Sequence, residues 1–531
     1  LLLIAFATSH ANAADPTRPN IVYILADDLG YGDLGCYNRD SKIPTPNLDR
    51  LANEGIRFTD AHSPSSVCTP TRYGVLTGRY CWRSRLKAQV LGPWGTTLIE
   101  EGRLTAPQLL RNHGYATHCV GKWHLGFDWP TKDGQPAESR QNVLSNVDFT
   151  KPIPNGPITR GFSSYFGVDL PNFPPYIYIE NDHTLGIPSV PNSPAQNRPG
   201  PMLPGWNWVN VLPDCASRAV KVIEDAAIKR GAAFQPATNP TVRRSSSDPA
   251  PSAPNPESRT PPPFFLYFPL TSPHYPVVPD PEFRGKSLAG DFGDFVVQTD
   301  AVVGQILDAL QRTGLAENTL VIFTSDNGPE VIEIKPGAYD RLKEYGHASM
   351  GQLRGCKRDL WEGGHRVPFI ARWPGQIPTG ATSTETICHV DFLATLAALL
   401  GTKLPDDAGE DSYNILPALR NEKPKLGEGL PAPPIRPATV HHAASGKSAI
   451  RQGDWVFLDA PTGDDNGPPN RRLEPQWFKD QRGYQPHNHP GELYNLSTDL
   501  SQRHNLYADH PDKVRDLKAL LTQYQQQGRS R

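Results

Sequence analysis

Residues 20–28 read N-I-V-Y-I-L-A-D-D, and residues 318–327 read N-T-L-V-I-F-T-S-D-N. Each is a continuous apolar, β-branched run that stops at acids. A strand with one wet face alternates polar and apolar residues, whereas an unbroken run such as Ile21 to Leu25 suits a strand buried on both faces, with helices above and below its sheet. The intervening chain carries helical patterns: P-N-L-D-R-L-A-N-E-G-I-R-F reads as a helix capped by Asn47 and closed by Gly55, and Asp300 to Leu315 as another. Tyr115 to Val120 reads as a short strand leading into G-K-W-H-L-G. Strands alternating with helices predict an α/β fold, a sheet sandwiched by helices.

Ligands of open α/β sheets bind beyond the carboxyl ends of the strands. Strand polarity alone therefore predicts that Asp27, Asp28, Asp326 and Asn327 meet along one edge. Three carboxylates and an amide oxygen, with no histidine beside them in sequence, form a hard donor set suited to calcium or magnesium rather than zinc. Paired acids at strand ends also serve as solvated turn residues or caps. The recurrence of the pair favours a metal.

Seven cysteines at irregular spacing suggest neither a zinc site nor a redox pair, and the ordinary fate of any one of them is burial or a disulfide. Cys68 stands in S-V-C-T-P-T-R, where Pro70 suits the first turn of a helix. Cys68 then lies near the amino end, where free N–H groups and the helix dipole favour negative charge. Arg72, four residues on, shares its face and can grip an anion there. The three residues between Cys68 and Arg72 are too few for the loop with which a tyrosine-phosphatase-type cysteine wraps phosphate. An ordinary thiolate phosphatase is disfavoured.

A formal charge of −2 with 20% charged residues excludes a global field for nucleic acid or anionic membrane, so any anion preference is local. L-L-L-I-A-F-A followed by T-S-H-A-N-A-A-D reads as the remnant of a signal peptide at 1–13, cleaved after Ala13, and no later stretch is apolar for long enough to span a bilayer. The expectation is an exported protein, secreted or periplasmic. A Pro/Ser-rich stretch at about 231–263 reads as a disordered insertion, and a Pro-rich segment at 423–437 as the boundary between a catalytic domain, 14–425, and a small α+β domain, 426–531. That second unit shows a hairpin turning at Gly453, a strand in G-E-L-Y-N-L and a helix from Pro511 to Gln526.

Six dispersed motifs carry a resemblance: D-D-L-G-Y-G-D-L-G, C-T-P-T-R with L-T-G-R, G-K-W-H-L-G, S-P-H-Y-P, S-D-N-G, and L-R-G-C-K-R-D-L-W-E-G-G-H-R-V-P-F. Together, in order from about Arg18 to Leu419, they resemble the type I formylglycine-dependent sulfatases. The resemblance implies an alkaline-phosphatase-like fold, with a large mixed central sheet and a smaller C-terminal domain containing an antiparallel sheet. It implies that a formylglycine-generating maturation enzyme oxidises Cys68, giving a hydrated aldehyde with one hydroxyl to attack sulfur and a second to expel sulfate. It further implies one calcium ion held by Asp27, Asp28, Asp326, Asn327 and the residue at position 68. Arg72, Lys122 and Lys357 match the family's cationic positions, His124 the histidine that bonds the formylglycine, and His274 the group that protonates the leaving alcohol.

The expected substrate is a sulfated carbohydrate or an aryl sulfate. The alternatives are a phosphate or phosphonate monoester hydrolase of the same superfamily and an inactive binder of sulfated glycans. The serine that some relatives place after G-F-x-x-Y-F-G has no counterpart here, Asn172 being the only nearby amide, and Thr71 stands where many relatives have serine. His441 and His442 read either as substrate contacts leaning over the pocket or as structural residues at a strand edge.

Overall fold

The computed structural model describes residues 18–140, 144–192, 197–233, 261–422, 433–467 and 473–531. The expected signal remnant, residues 234–260 of the expected insertion and residues 423–432 at the expected boundary lie outside the described residues. In chain order the strands of the main sheet are β1 (Asn20–Ala26), β2 (Ile56–Phe58), β3 (Ala116–Lys122), β4 (Ser164–Val168), β5 (Ile179–Glu180), β6 (His183–Thr184), β7 (Phe264–Pro269), β8 (Thr319–Ser325), β9 (Phe369–Arg372) and β10 (Ala381–Ser383). Their spatial order is β10-β2-β9-β8-β1-β7-β3-β4-β5-β6. The five from β8 to β4 are parallel, and antiparallel neighbours flank them on both sides.

The apolar run at the start forms the middle of this sheet because both its faces are dry. Ile21, Tyr23 and Leu25 pack into one core, and Val22, Ile24 and Ala26 into another. Each Val, Ile or Leu among them contributes about 1.5–3 kcal/mol by leaving water. The first core is closed by α2 (Cys68–Thr77) and α5 (Phe392–Leu399), the second by α1 (Pro46–Asn53), α3 (Val211–Ala233) and α4 (Gly290–Arg312). No helix among the described residues is long and apolar enough to cross a membrane.

Local details correct the sequence reading. The first helix has Thr45 rather than Asn47 at its N-cap position, with Pro46 in its first turn, and ends at Asn53, with Glu54 as its C-cap ahead of Gly55. Asn47 turns to the neighbouring helix instead. Its Nδ2 donates to Asp300 Oδ2 at 2.8 Å, and Asp300 also accepts from the backbone N–H groups of Asn47 and Leu48. A carboxylate distant in sequence thus satisfies the free donors of this helix. The helix expected from Asp300 starts ten residues earlier, at Gly290, because Phe292, Phe295 and Val296 are buried among polar residues that obscure the periodicity. The start expected for the insertion, at about 231, is too early, since α3 runs to Ala233.

The C-terminal part forms its own antiparallel sheet, β11 (Thr439–His442), β12 (Ser448–Gln452), β13 (Trp455–Leu458) and β14 (Glu492–Asn495), covered by α6 (Pro511–Gln526). The β12–β13 hairpin turns at Gly453, in the left-handed conformation at φ +58°. His441 does not reach a pocket. It is buried, its ring stacked on His365 at 3.8 Å and close to His62, which bonds Asp60 at 2.8 Å. The carbonyl of His442 accepts from Ser65 Oγ and from the Ser66 N–H, so the small sheet pins the loop that precedes Cys68.

This histidine joint makes the fold acid-sensitive. Burial pulls His365 down to about 3 from 6.5 and lowers His62 as well. Groups kept neutral in the fold but protonated when unfolded cost stability as pH falls below 6.5. His365 alone contributes about 2 kcal/mol of loss by about pH 5, and His62 adds to it in the same direction. The midpoint of thermal unfolding is expected to fall steadily from pH 7.5 to 5; a flat profile would show these imidazoles already protonated in the fold.

Candidate active site

Helix α2 begins at Cys68, with Val67 as its N-cap and Pro70 in the first turn. It stops at Gly78, whose φ of +64° and close neighbours Leu393 and Ser412 leave no room for a side chain. All ten residues of the helix are buried, and its amino end meets the carboxyl edge of the main sheet. Cys68 Sγ lies 3.6 Å from Asp27 Oδ1. Arg72 donates from Nη2 to Asp326 Oδ2 at 2.8 Å and from Nη1 to the Lys122 carbonyl at 3.1 Å, and its Nη2 is 3.3 Å from Asp27 Oδ2.

The strand ends supply the rest. Lys122, the last residue of β3, donates to Asp27 Oδ2 at 2.6 Å, and Lys357 lies 2.8 Å from Asp28 Oδ1. Asn327 Nδ2 donates to the same Asp28 oxygen at 2.8 Å. His274, from the loop after β7, commits Nδ1–H to the Tyr275 carbonyl and places Nε2 3.7 Å from Asp28 Oδ2. The donor set read as lacking histidine therefore has one beside it in space. His124 follows Lys122 by two residues, with its backbone N–H on Asp169 and Nε2–H donated to the Leu91 carbonyl. Asp28, His124 and Arg358 are all left-handed, at φ +68°, +53° and +83°. Such backbone costs about 1–3 kcal/mol per residue and persists where surrounding structure enforces it.

Three carboxylates face three cations here, all of them buried. Burial alone would raise Asp27, but Lys122, His274, Arg72 and Lys357 hold it well below the ordinary carboxylate range. Burial and then the charge of Asp27 push Asp326 the other way, to about 7. Burial also holds the Cys68 thiol high, against Lys122 and Lys357, so the unmodified side chain is a neutral thiol. Burial followed by Lys122 and Arg72 keeps His124 neutral, which leaves its Nδ1 an acceptor without a partner.

Asn327 Oδ1 is likewise buried without a hydrogen-bond partner, although its amide nitrogen is satisfied twice. A bare carbonyl oxygen beside three converging carboxylates fits a hard cation such as calcium. One ligand atom each from Asp27, Asp28, Cys68 and His274 also lie within 4.8 Å of one another.

The profile of the family described as Sulfatase matches residues 19–402. The chain belongs to the sulfatase family. It is 33% identical over 521 residues to N-acetylgalactosamine-6-O-sulfatase of Bacteroides thetaiotaomicron, covering 96% of this chain and 94% of that one. Arylsulfatase A of Homo sapiens is 33% identical over 454 residues, 86% of this chain and 76% of its own. A solved structure described under the metabolism of multiple glycosaminoglycans by Bacteroides thetaiotaomicron superposes with a TM-score of 0.75 at 30% identity, over 96% of this chain and 99% of that chain. A sulfatase from Pseudoalteromonas, 22% identical over 96% of this chain and 90% of its own, shares the fold with a TM-score of 0.67.

In this sulfatase the structure also brings forward residues that sequence reading passed over. Glu330 is fully buried and grips Arg358 through both oxygens, at 2.7 and 2.6 Å, while lying 3.3 Å from Lys357. It holds the segment that carries Lys357, and its place two residues after S-D-N-G was the available signal. Glu333 and Asp169 carried no such signal. All seven cysteines are free thiols, so none of the six besides Cys68 is paired.

Proposed function

We propose that this sulfatase hydrolyses a sulfate monoester on a carbohydrate to an alcohol and inorganic sulfate, with Cys68 converted to formylglycine and one calcium ion at the site. The observation that carries this reading is the meeting of Cys68 and Arg72, at the amino end of α2, with the oxygen cluster at the strand ends. The names of the relatives, N-acetylgalactosamine-6-O-sulfatase and arylsulfatase A, support the substrate class. Asp27, Asp28, Asp326, Asn327 and the residue at position 68 would hold calcium, which when bound supplies Lewis acidity toward a sulfate oxygen. Formylglycine supplies a hydrated aldehyde, a hydroxyl nucleophile where the buried thiol offers none.

The chain's own groups do the remainder. Arg72, Lys122 and Lys357 offset the negative charge of the sulfate as it grows toward the transition state, in a site where burial strengthens each interaction. His124 Nδ1, free and neutral, accepts from a hydroxyl at position 68. With Nδ1–H held by the Tyr275 carbonyl, His274 gives a proton to the leaving alcohol from Nε2 of its imidazolium form, which burial disfavours and the charges of Asp27 and Asp28 favour. We further assign residues 14–425 to the catalytic domain and 426–531 to a small C-terminal domain; the main sheet ends at Ser383 and the second begins at Thr439. Export and conversion by a maturation enzyme complete the reading.

Kinetics on sulfate and phosphate esters of the same alcohol test it. The expected result is a preference of at least about 100-fold in kcat/KM for sulfate, about 2.7 kcal/mol at the transition state. A preference for phosphate or phosphonate would reassign the site to the related esterases. Absence of turnover with position 68 fully converted would leave a binder of sulfated glycans.

A further inference from the structure

From the floor of the site outward, side-chain exposure rises in steps, from none at Asp28 to 4% at His274, 21% at Glu333 and 48% at Arg198. Glu333 therefore stands where the buried reaction centre opens to solvent. Its Oε2 lies 3.9 Å from His274 Nε2, the atom assigned to the leaving alcohol, and its Oε1 accepts from Arg198 Nη2 at 2.7 Å. Asn172 donates from Nδ2 to Glu333 Oε2 at 3.4 Å. Asn172 Oδ1 has no hydrogen-bond partner among the described residues, although the residue is only 2% exposed.

Arg198 is firmly seated. Its carbonyl accepts from Tyr176 Oη at 2.7 Å and from Asn192 Nδ2 at 2.9 Å, and its guanidinium lies over the Phe173 ring at 3.7 Å. The sulfate has no use for this group, since three cations meet it at the floor and a carboxylate on the leaving-group side repels it. A carboxylate beside a guanidinium instead matches a pair of neighbouring hydroxyls, accepting from one and donating to the other. The orphan amide oxygen of Asn172 offers one more acceptor to the same ligand.

We propose that Glu333, with Arg198 and Asn172, is the specificity subsite for the sugar ring that carries the sulfate, binding two neighbouring hydroxyls of that ring. This rests on the reading that His274 faces the leaving alcohol. Glu333 also disfavours a ring bearing a second anion at those positions, because the two negative charges would meet at the mouth of a poorly solvated pocket.

The test compares 4-nitrophenyl sulfate, which has no ring hydroxyls, with the 6-sulfates of N-acetylgalactosamine, galactose and glucose, using the fully converted enzyme. E333Q and R198A are expected to lose about 10- to 100-fold in kcat/KM on the sugar that wild type prefers, mostly through KM, while 4-nitrophenyl sulfate changes by less than about 3-fold. R198A, which does not touch His274, is expected to leave the pH profile where it is, and both part-exposed positions leave the unfolding midpoint near that of wild type. Because 4-nitrophenolate departs without an acid, a loss on the sugar sulfates carried by kcat with KM unchanged, or an R198A variant with wild-type KM on them, would show that Glu333 acts only through His274, and the subsite would be rejected. Unchanged kinetics on every sugar, or a wild type that favours no sugar sulfate over the aryl ester, would reject it as well. A wild type that hydrolyses phosphate esters in preference to all of these would overturn the sulfatase reading itself, a separate result.

Discussion

Cys68→Ala is expected to abolish sulfate-ester hydrolysis, with kcat/KM falling by at least about 10⁴-fold, about 5.4 kcal/mol in transition-state stabilisation. The fold is expected to survive, because the change deletes one small buried atom at a helix terminus and removes no charge. The size of the effect follows from the surroundings. The cationic groups, the oxygen cluster and the amino end of α2 are arranged around position 68, and no other nucleophile is shown among them. A thiolate mechanism would need the thiol to ionise, and burial opposes that. Two measurements check the prediction together: turnover of an aryl sulfate by the variant, and the mass of the peptide containing position 68 in protein from a host with the maturation enzyme. The peptide is expected to carry an aldehyde in place of the thiol. A variant retaining more than about one hundredth of the wild-type rate would move the chemistry to a different group.

Much of the architecture was legible because its cause is local. An unbroken apolar run needs two dry faces, and Ile21 to Leu25 have them. A run that stops at acids places those acids at the carboxyl edge, so Asp27, Asp28, Asp326 and Asn327 could be brought together on strand polarity alone. Cys68 and Arg72 followed from helix geometry. Lys122, His124, His274 and Lys357 did not, since a lone lysine or histidine has no spacing to argue from, and only their motif contexts singled them out. The failures lie where a distant partner decides. Asn47 looks like a cap until Asp300 is seen across the interface. T-V-H-H gives no sign that His441 stacks on His365, nor does I-E-I-K show that Glu333 faces His274.

The second large effect is expected at Asp27, where charge balance and metal binding give different signatures. Asp27 Oδ2 accepts from Lys122 at 2.6 Å and lies 3.3 Å from Arg72, and all three groups are fully buried. Asp27→Ala leaves two cations short of a counter-charge while relieving repulsion with Asp326. The loss outweighs the relief, because breaking a buried pair costs about 3–5 kcal/mol when the remaining partner cannot reach water. Both the unfolding midpoint and activity are therefore expected to fall, activity by at least about 10³-fold. Calcium separates the two roles. An ion that binds only the folded state stabilises it by about 2.7 kcal/mol at a hundred times its Kd, so calcium is expected to raise the wild-type midpoint and leave that of Asp27→Ala nearly unmoved. If calcium raised both midpoints equally, Asp27 would be a counter-ion for Lys122 and Arg72 rather than a ligand, and the cation would have to be held by Asp28, Asp326 and Asn327 without it.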